Sequence, residues 1–310
     1  MTRRRKREAE RPGPAGFLPV DKPQGWTSHD VVEAARDWLG TRRVGHLGTL
    51  DPRATGILPL SIRAATKLAP YLADGRKAYV GSIRLGVETD TLDAEGEVLQ
   101  RHQGVLPGKE EVAGTLAQFL GEIEQVPPMF SAVKHSGVPL HRLARKGQQV
   151  ERAPKRVRID RIELVAYSAP LVEIEVDCSA GTYVRVLADD LGRRLGCGAH
   201  LQELRRTRSG PFELAQALTP AQLAEEAESG KLESRLIPAV EVLGLPIVRL
   251  GPEEARRVRN GREIGAAPQL SPGGRVAAVE PGGELLAVMQ VLPGRRLQPL
   301  RVLQSVAPDR

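Results

Sequence analysis

One short segment concentrates groups that could do chemistry: Gly45-His46-Leu47-Gly48-Thr49-Leu50-Asp51-Pro52-Arg53-Ala54-Thr55-Gly56. It sets a carboxylate and an imidazole among three glycines, between apolar flanks. Glycine lets the backbone approach a ligand closely. Pro52 biases Asp51 towards an extended backbone, from which its side chain can project. A carboxylate presented in this way can act as a nucleophile or as a proton acceptor. The same dipeptide has a plainer reading, an aspartate N-cap followed by a first-turn proline, which needs no chemistry at all. Local spacing alone favours the cap.

Other chemistries find little support. Only two cysteines occur, Cys178 and Cys197, and they are not at zinc-ligand spacing from each other, so neither a disulfide framework nor a metal site is indicated. No Gly-x-x-x-x-Gly-Lys-Ser/Thr phosphate cradle occurs. Asp90, Asp93 and Glu95 before Gly96 do not have calcium-loop spacing. No second acid stands in a motif that would pair with Asp51 as in a glycoside hydrolase. Neither a metal site nor a phosphate cradle is indicated by the residues alone. Between Gln125 and Lys155, the cations Lys134, Arg142, Arg145, Lys146, Arg152 and Lys155 are opposed by Glu151 alone. A solvated face is usually more mixed, so this stretch points to an acidic partner.

These residues need elements to position them. Gly16 to Val20 reads as a strand ending in the turn Asp21-Lys22-Pro23-Gln24-Gly25. Thr27 or Ser28 can cap a following helix, along which Val31, Val32, Ala35, Trp38 and Leu39 recur at helical spacing, with Gly40 as the stop. Tyr79 to Leu85, Ile159 to Ala166 and Leu171 to Val176 alternate as strands do, whereas Val112 to Leu120 and Val184 to Leu195 read as helices. Without a βαβ rhythm, this mixture predicts an α+β domain around a mixed sheet. An acidic helical stretch from Pro220 to Leu243 reads as a connector. From Pro246 onward the texture shifts to short strands (Ile247 to Leu250, Arg275 to Val279, Leu285 to Val291, Leu297 to Leu303) broken by Gly and Pro, which suggests a small barrel or sandwich.

With 310 residues the chain is long for a single domain, and 41% hydrophobic residues suffice for a core. The net charge of +7 is uneven: Arg3, Arg4, Arg5, Lys6, Arg7 and Arg11 against Glu8 and Glu10 carry most of it. Such a block reads first as a disordered, solubilising tail. No apolar stretch suits a signal peptide or a bilayer span, so a cytoplasmic protein is expected.

The segment from Gly45 to Leu60 resembles the active-site motif of TruB-type pseudouridine synthases. Further similarities follow in the family's order: Asp21-Lys22-Pro23-Gln24-Gly25, Lys77-Ala78-Tyr79, Leu85-Gly86 through Thr89-Asp90-Thr91 and Asp93, Gly181-Thr182-Tyr183-Val184-Arg185, and Gly196-Cys197-Gly198-Ala199-His200 with Leu204-Arg205-Arg206. They cover roughly residues 16 to 215. Departures lie at Leu47-Gly48-Thr49 and at Ala180, where other members carry different residues; none replaces a catalytic group. The segment around Val258-Arg259-Asn260-Gly261 resembles a PUA domain.

The resemblance implies isomerisation of a uridine to pseudouridine in the T-loop of tRNA, without cofactor or obligate protein partner, by a monomer. It implies an α+β pseudouridine synthase fold with a mixed, largely antiparallel sheet around a catalytic cleft. A basic tail (1–15), a catalytic domain (16–245, with an RNA-gripping insertion near 125–155) and a PUA-like domain (246–310) are expected. Asp51 would be the catalytic carboxylate, Arg185 its partner, and Tyr79 the ring that stacks on the flipped uracil and moves a proton. Tyr183 would pack beneath the base, Leu204 would close the pocket, and His46 would fill the place the base leaves. Asp93, and with it Asp90, would extend the ionic network, while Lys22 and Lys134 would contact the substrate. The competing readings are a guide-RNA-dependent synthase and a non-catalytic protein that binds or folds RNA.

Overall fold

A computed structural model describes residues 12–303 except 132 and 145. The basic run at the start of the chain therefore lies largely outside the described residues.

The larger, N-terminal part begins with β1 (Gly16–Lys22), α1 (Ser28–Leu39), β2 (Val44–His46) and β3 (Thr55–Ile62). Thr27 caps α1: its hydroxyl accepts from the Asp30 N–H while Asp30 accepts from the Thr27 N–H. Gly40 ends the helix at φ 59°, a conformation that favours glycine. Next come α2 (Ala69–Leu72), β4 (Lys77–Leu85), β5 (Val87–Thr89), β6 (Val98–Arg101), α3 (Lys109–Ala117) and β7 (Gly121–Gln125). A small hairpin, β8 (Lys134–His135) with β9 (Val138–Pro139), and α4 (Leu140–Ala144) interrupt the sheet before β10 (Lys155–Ser168) and β11 (Leu171–Cys178). Then follow α5 (Val184–Arg194), β12 (Ala199–Ser209), β13 (Phe212–Glu213), α6 (Pro220–Glu228) and α7 (Ala239–Val242).

The sheet runs β1-β3-β12-β4-β11-β10-β7, with β2 on β3 and β13 on β12. Its pairings are antiparallel except β3 with β12, which is parallel through Arg205↔Thr55 and Arg206↔Gly56. The pattern predicts a mixed sheet, and the largely antiparallel pairing is what the resemblance implies. Alternation explains the packing: Val172, Ile174, Val176 and Cys178 of β11 all point inward, two residues apart. They join Leu187 and Leu191 of α5 and Val112 and Leu116 of α3 in one core, while α1, α6 and β3 build a second. Tyr79 and Leu204 pack against both, so they stand at the seam between the two cores.

The stretch expected as a connector is instead packed into the body built on the large sheet. It breaks into α6, a short turn of 3-10 helix and α7; Leu223, Leu232 and Leu236 enter the second core, and Ile237 exchanges backbone hydrogen bonds with Phe17. Its apolar residues are too regularly buried for a free linker. The remaining strands, β14 (Ile247–Arg249), β15 (Ile264–Gly265), β16 (Arg275–Val279), β17 (Leu285–Leu292) and β18 (Arg296–Val302), form a separate sheet in the order β14-β16-β17-β18-β15, with α8 (Pro252–Arg259) packed on it. Among the described residues no helix is long and apolar enough to cross a membrane.

The parallel contact between β3 and β12 is unusually close at Gly56. Its φ is +99°, and a Cβ there would lie 2.2 Å from the Arg206 carbonyl oxygen. Gly25 has a similar φ of +85° with open space around it. Gly56→Ala is therefore expected to cost at least about 2 kcal/mol more stability than Gly25→Ala, since only the first adds a backbone clash to the strained dihedral. Urea titration of the two variants measures the difference, and equal losses would contradict this account of the strand contact.

Candidate active site

The segment that holds Asp51 is a loop between β2 and β3, and no helix follows Pro52, which removes the capping reading. Buried donors fix its course. Lys22, fully buried, donates from Nζ to the carbonyls of Pro23 (2.9 Å), Trp26 (2.7 Å) and Pro52 (3.0 Å). All three ammonium donors are thus used. Burial lowers its pKa to about 8, with Asp51 opposing the shift. Lys22 is therefore not placed to contact a substrate, as the sequence reading expects; β1 runs through it, and it acts as a pin for the loop backbone. Ser28 Oγ accepts from the Leu50 N–H and donates to the Leu50 carbonyl.

Arg206 completes the support from the opposite side. It is 1% exposed, donating to the carbonyls of Ile57 (2.8 Å), Gly48 (3.1 Å) and Thr49 (3.4 Å). Sequence reasoning assigns it no role, although it ends the quoted run Leu204-Arg205-Arg206. Gln125, 2% exposed, is also missed: its amide accepts from the Tyr183 N–H at 2.9 Å and donates to the Tyr183 carbonyl at 3.2 Å, fixing the residue just before α5. Neither residue type has a local pattern that would reveal such a contact.

The loop presents Asp51 to Arg185, the second residue of α5, with Nε 3.0 Å from Oδ2. The guanidinium also lies 3.3 Å from Asp93 and donates to the carbonyls of Thr91 (3.1 Å) and Phe130 (2.8 Å). Asp93 is itself held by the Thr91 hydroxyl (2.6 Å) and the Glu95 N–H (3.1 Å). Asp90 stands outside this network; it accepts from the Glu97 N–H on an exposed turn. The Arg185 side chain is 6% exposed, that of Asp51 41%. Arg185 is therefore a buried strut, and Asp51 the face it offers to the pocket.

The surrounding walls raise the Asp51 pKa, and this desolvation outweighs the opposing charge of Arg185; Asp93 adds to the rise. Burial likewise raises the Tyr79 and Tyr183 phenols, which therefore stay protonated. Lys77, also on the pocket wall, is lowered to about 8 by burial and then by the charge of Arg206, and its ammonium donates to Ser209 Oγ at 2.9 Å.

Together these groups line a pocket of about 280 Å³ that includes Asp51, Tyr79, Tyr183, Arg185, Leu204 and Arg206. Five of the residues expected at the site thus converge, contributed by the loop, β4, α5 and its N-cap, and β12. A larger cavity, about 580 Å³, lies between the catalytic body and the C-terminal sheet, but it holds none of the motif carboxylates or tyrosines. The smaller one carries the chemistry. His46, half-buried on β2, does not line it. Burial, then the charges of Arg206 and His29, lower the His46 pKa, and its buried Nδ1 has no hydrogen-bond partner among the described residues. Lys134 opens β8, and only its backbone is described. Among the described residues no group of three His, Cys, Asp or Glu could hold a metal ion.

Residues 36–184 match the profile of the TruB family pseudouridylate synthase N-terminal domain, and residues 185–243 that of the tRNA pseudouridylate synthase B C-terminal domain. The chain is 41% identical to tRNA pseudouridine synthase B of Pseudomonas fluorescens strain Pf-5, over 94% of this chain and 96% of that protein. It is 42% identical to the protein of the same name from Geobacter sulfurreducens, over 90% and 94% of the two chains. Among solved structures, a chain of a Cbf5-Nop10-Gar1 complex superposes with a TM-score of 0.71 at 28% identity, covering 93% of this chain and 85% of its own. An H/ACA RNP bound to a substrate RNA containing 2'-deoxyuridine gives 0.70 at 25% identity, with the same coverage. Similarity that spans nearly the full length of both sequences, on a sheet that brings the shared motifs around one carboxylate, places this chain in the TruB family of pseudouridylate synthases.

Proposed function

We propose that this protein converts a uridine of the tRNA T-loop to pseudouridine as a stand-alone enzyme, with Asp51 as the reacting carboxylate. The observation that carries the reading is the Asp51–Arg185 contact at 3.0 Å on the wall of a pocket that also holds two tyrosines. The reaction breaks a C–N glycosidic bond and makes a C–C bond within one nucleotide, so atoms and electrons balance without a co-reactant. Asp51 enters either as a nucleophile or as a base towards the sugar. A carboxylate raised above its usual pKa is the stronger base and nucleophile of the two extremes, provided it stays ionised, which Arg185 favours.

A base must leave its stack to reach this pocket, at a cost of a few kcal/mol. Stacking on an aromatic ring returns about 1 to 3 kcal/mol. Tyr79 supplies that ring, Tyr183 packs below it, and Leu204 closes the opposite wall. His46, with its unsatisfied Nδ1, takes the place of the extruded base within the RNA. The insertion near 125–155, with Lys134, grips the T-arm phosphates, and the C-terminal sheet serves as a PUA-like RNA contact. The relatives named tRNA pseudouridine synthase B support a direct tRNA substrate over a guide-RNA particle.

The purified protein alone is expected to release tritium from C5-labelled uridine in a T-arm stem-loop. Asp51→Asn should abolish release while keeping RNA affinity, and turnover by this variant equal to wild type would remove Asp51 from the mechanism. Because the folded Asp51 pKa is raised, its ionised form costs stability once pH exceeds the unfolded value. The Asn variant should accordingly melt no lower than wild type at neutral pH.

Activity requires the carboxylate, so kcat/KM should fall as pH drops through the raised pKa, with its acid midpoint above the ordinary value of about 3.9. A pH–rate profile with its midpoint at or below that value would count against this assignment.

Arg185→Met should cost about 3 to 5 kcal/mol of stability in a denaturant titration, since it leaves Asp93 buried without its cation. A loss under 1 kcal/mol would show that the strut is not needed to hold the fold.

A further inference from the structure

We propose that Arg53, Arg84 and Arg101, with His200, form a second RNA contact: a cradle for backbone phosphate beside the catalytic pocket. The inference rests on the RNA-modifying reading above and adds a place where the strand next to the reacting nucleotide is held.

The four side chains line a shallow depression of about 270 Å³. The fold brings them together from different elements. Arg84 of β4 and His200 of β12 are direct partners in the register of those strands, and Arg101 of β6 is paired with Val87 of β5, another lining residue. Arg53 comes from the catalytic loop, its Nε donating to the Gln202 carbonyl at 3.3 Å. His200 is 4% exposed, and its Nδ1 lies 2.9 Å from the Val87 carbonyl. A carbonyl can only accept, so Nδ1 carries the proton, and Nε2 of the neutral ring is left as an acceptor, for a hydroxyl rather than a phosphate oxygen.

The cluster lacks the acid pairing seen at several other surface arginines: Arg158 with Asp160, Arg161 with Glu163, Arg256 with Glu253, and Arg296 with Glu263. None of Arg53, Arg84 and Arg101 makes an ion pair with an acid among the described residues. Glu95 and Glu97, which flank the lining residue Gly96, are exposed and do not pair with them. Three guanidiniums in one concavity without internal counter-charge suit an anion with several acceptor oxygens.

Position selects nucleic acid among anionic partners. Arg53 follows Asp51 by two residues, at most about 7 Å along the chain. The turn after β5 serves both sites: Asp93 reaches Arg185, while Ala94 and Gly96 line the depression. An RNA that delivers a base to Asp51 therefore carries its flanking backbone towards these arginines. Contacts to flanking nucleotides are a general means of choosing a flipped base, and phosphate contacts set register without reading sequence.

Equilibrium binding of a T-arm stem-loop across a KCl series tests this on the full-length protein. The salt slope of log K should fall by about 1 for each arginine removed in Arg84→Gln and Arg101→Gln, and by about 2 in the double variant. The double Lys variant, Arg84→Lys with Arg101→Lys, should restore most of the slope, which a purely structural role would not do. An unchanged slope in Gln variants that melt like wild type overturns the proposal, as does equal loss in the Gln and Lys variants. Failure of the wild-type protein to bind or turn over the stem-loop would instead overturn the proposed function, and the cradle with it.

Discussion

The site depends on one electrostatic compromise. A carboxylate set into a pocket beside two tyrosines tends to take up a proton, and here that tendency outweighs the adjacent guanidinium. Arg185 limits the cost because it is fixed by three other acceptors, Asp93 and the carbonyls of Thr91 and Phe130. A mobile arginine would lose side-chain entropy on meeting Asp51. A buried one, its geometry set by the turn after β5 and by the start of the insertion, has lost that entropy already. The polarity of the pocket therefore follows in part from groups that lie off its wall, Asp93 and the carbonyls of Thr91 and Phe130.

Buried cations perform a second task in this protein, satisfying backbone. Lys22 and Arg206 direct their donors at carbonyls, and Arg63 divides its own between the Pro14 and Leu39 carbonyls and Glu233. A loop that crosses the interior without regular structure leaves acceptors that water cannot reach, and each costs free energy if unpaired. An extended basic side chain reaches several at once. Such a solution brings positive charge close to Asp51, which helps to keep the carboxylate ionised.

Periodicity made much of the fold legible. The inward run of β11, the amphipathic α1 between Thr27 and Gly40, and the strands of the C-terminal sheet all follow from residue spacing. The loop around Asp51 was legible only through its resemblance to a motif, since Asp-Pro alone fits a helix cap equally well. Pins such as Lys22, Gln125 and Arg206 were not legible as pins. Their contacts join residues 30, 58 and about 150 positions apart, and no local pattern encodes a partner at that distance. His46 shows the opposite limit: the motif names it, yet its position on β2 leaves it off the pocket wall.

The pairing of β3 with β12 has a consequence for biosynthesis. Arg206 is made 149 residues after Ile57, whose carbonyl it meets, so at roughly 5 to 20 residues per second the Asp51 loop waits on the order of ten seconds or more for its support. During that interval the nascent chain carries the whole motif but no finished catalytic centre. Premature termination upstream of β12 would yield a fragment with the signature residues and no means of shaping them, and late closure of so long a contact makes this region a slow step in folding.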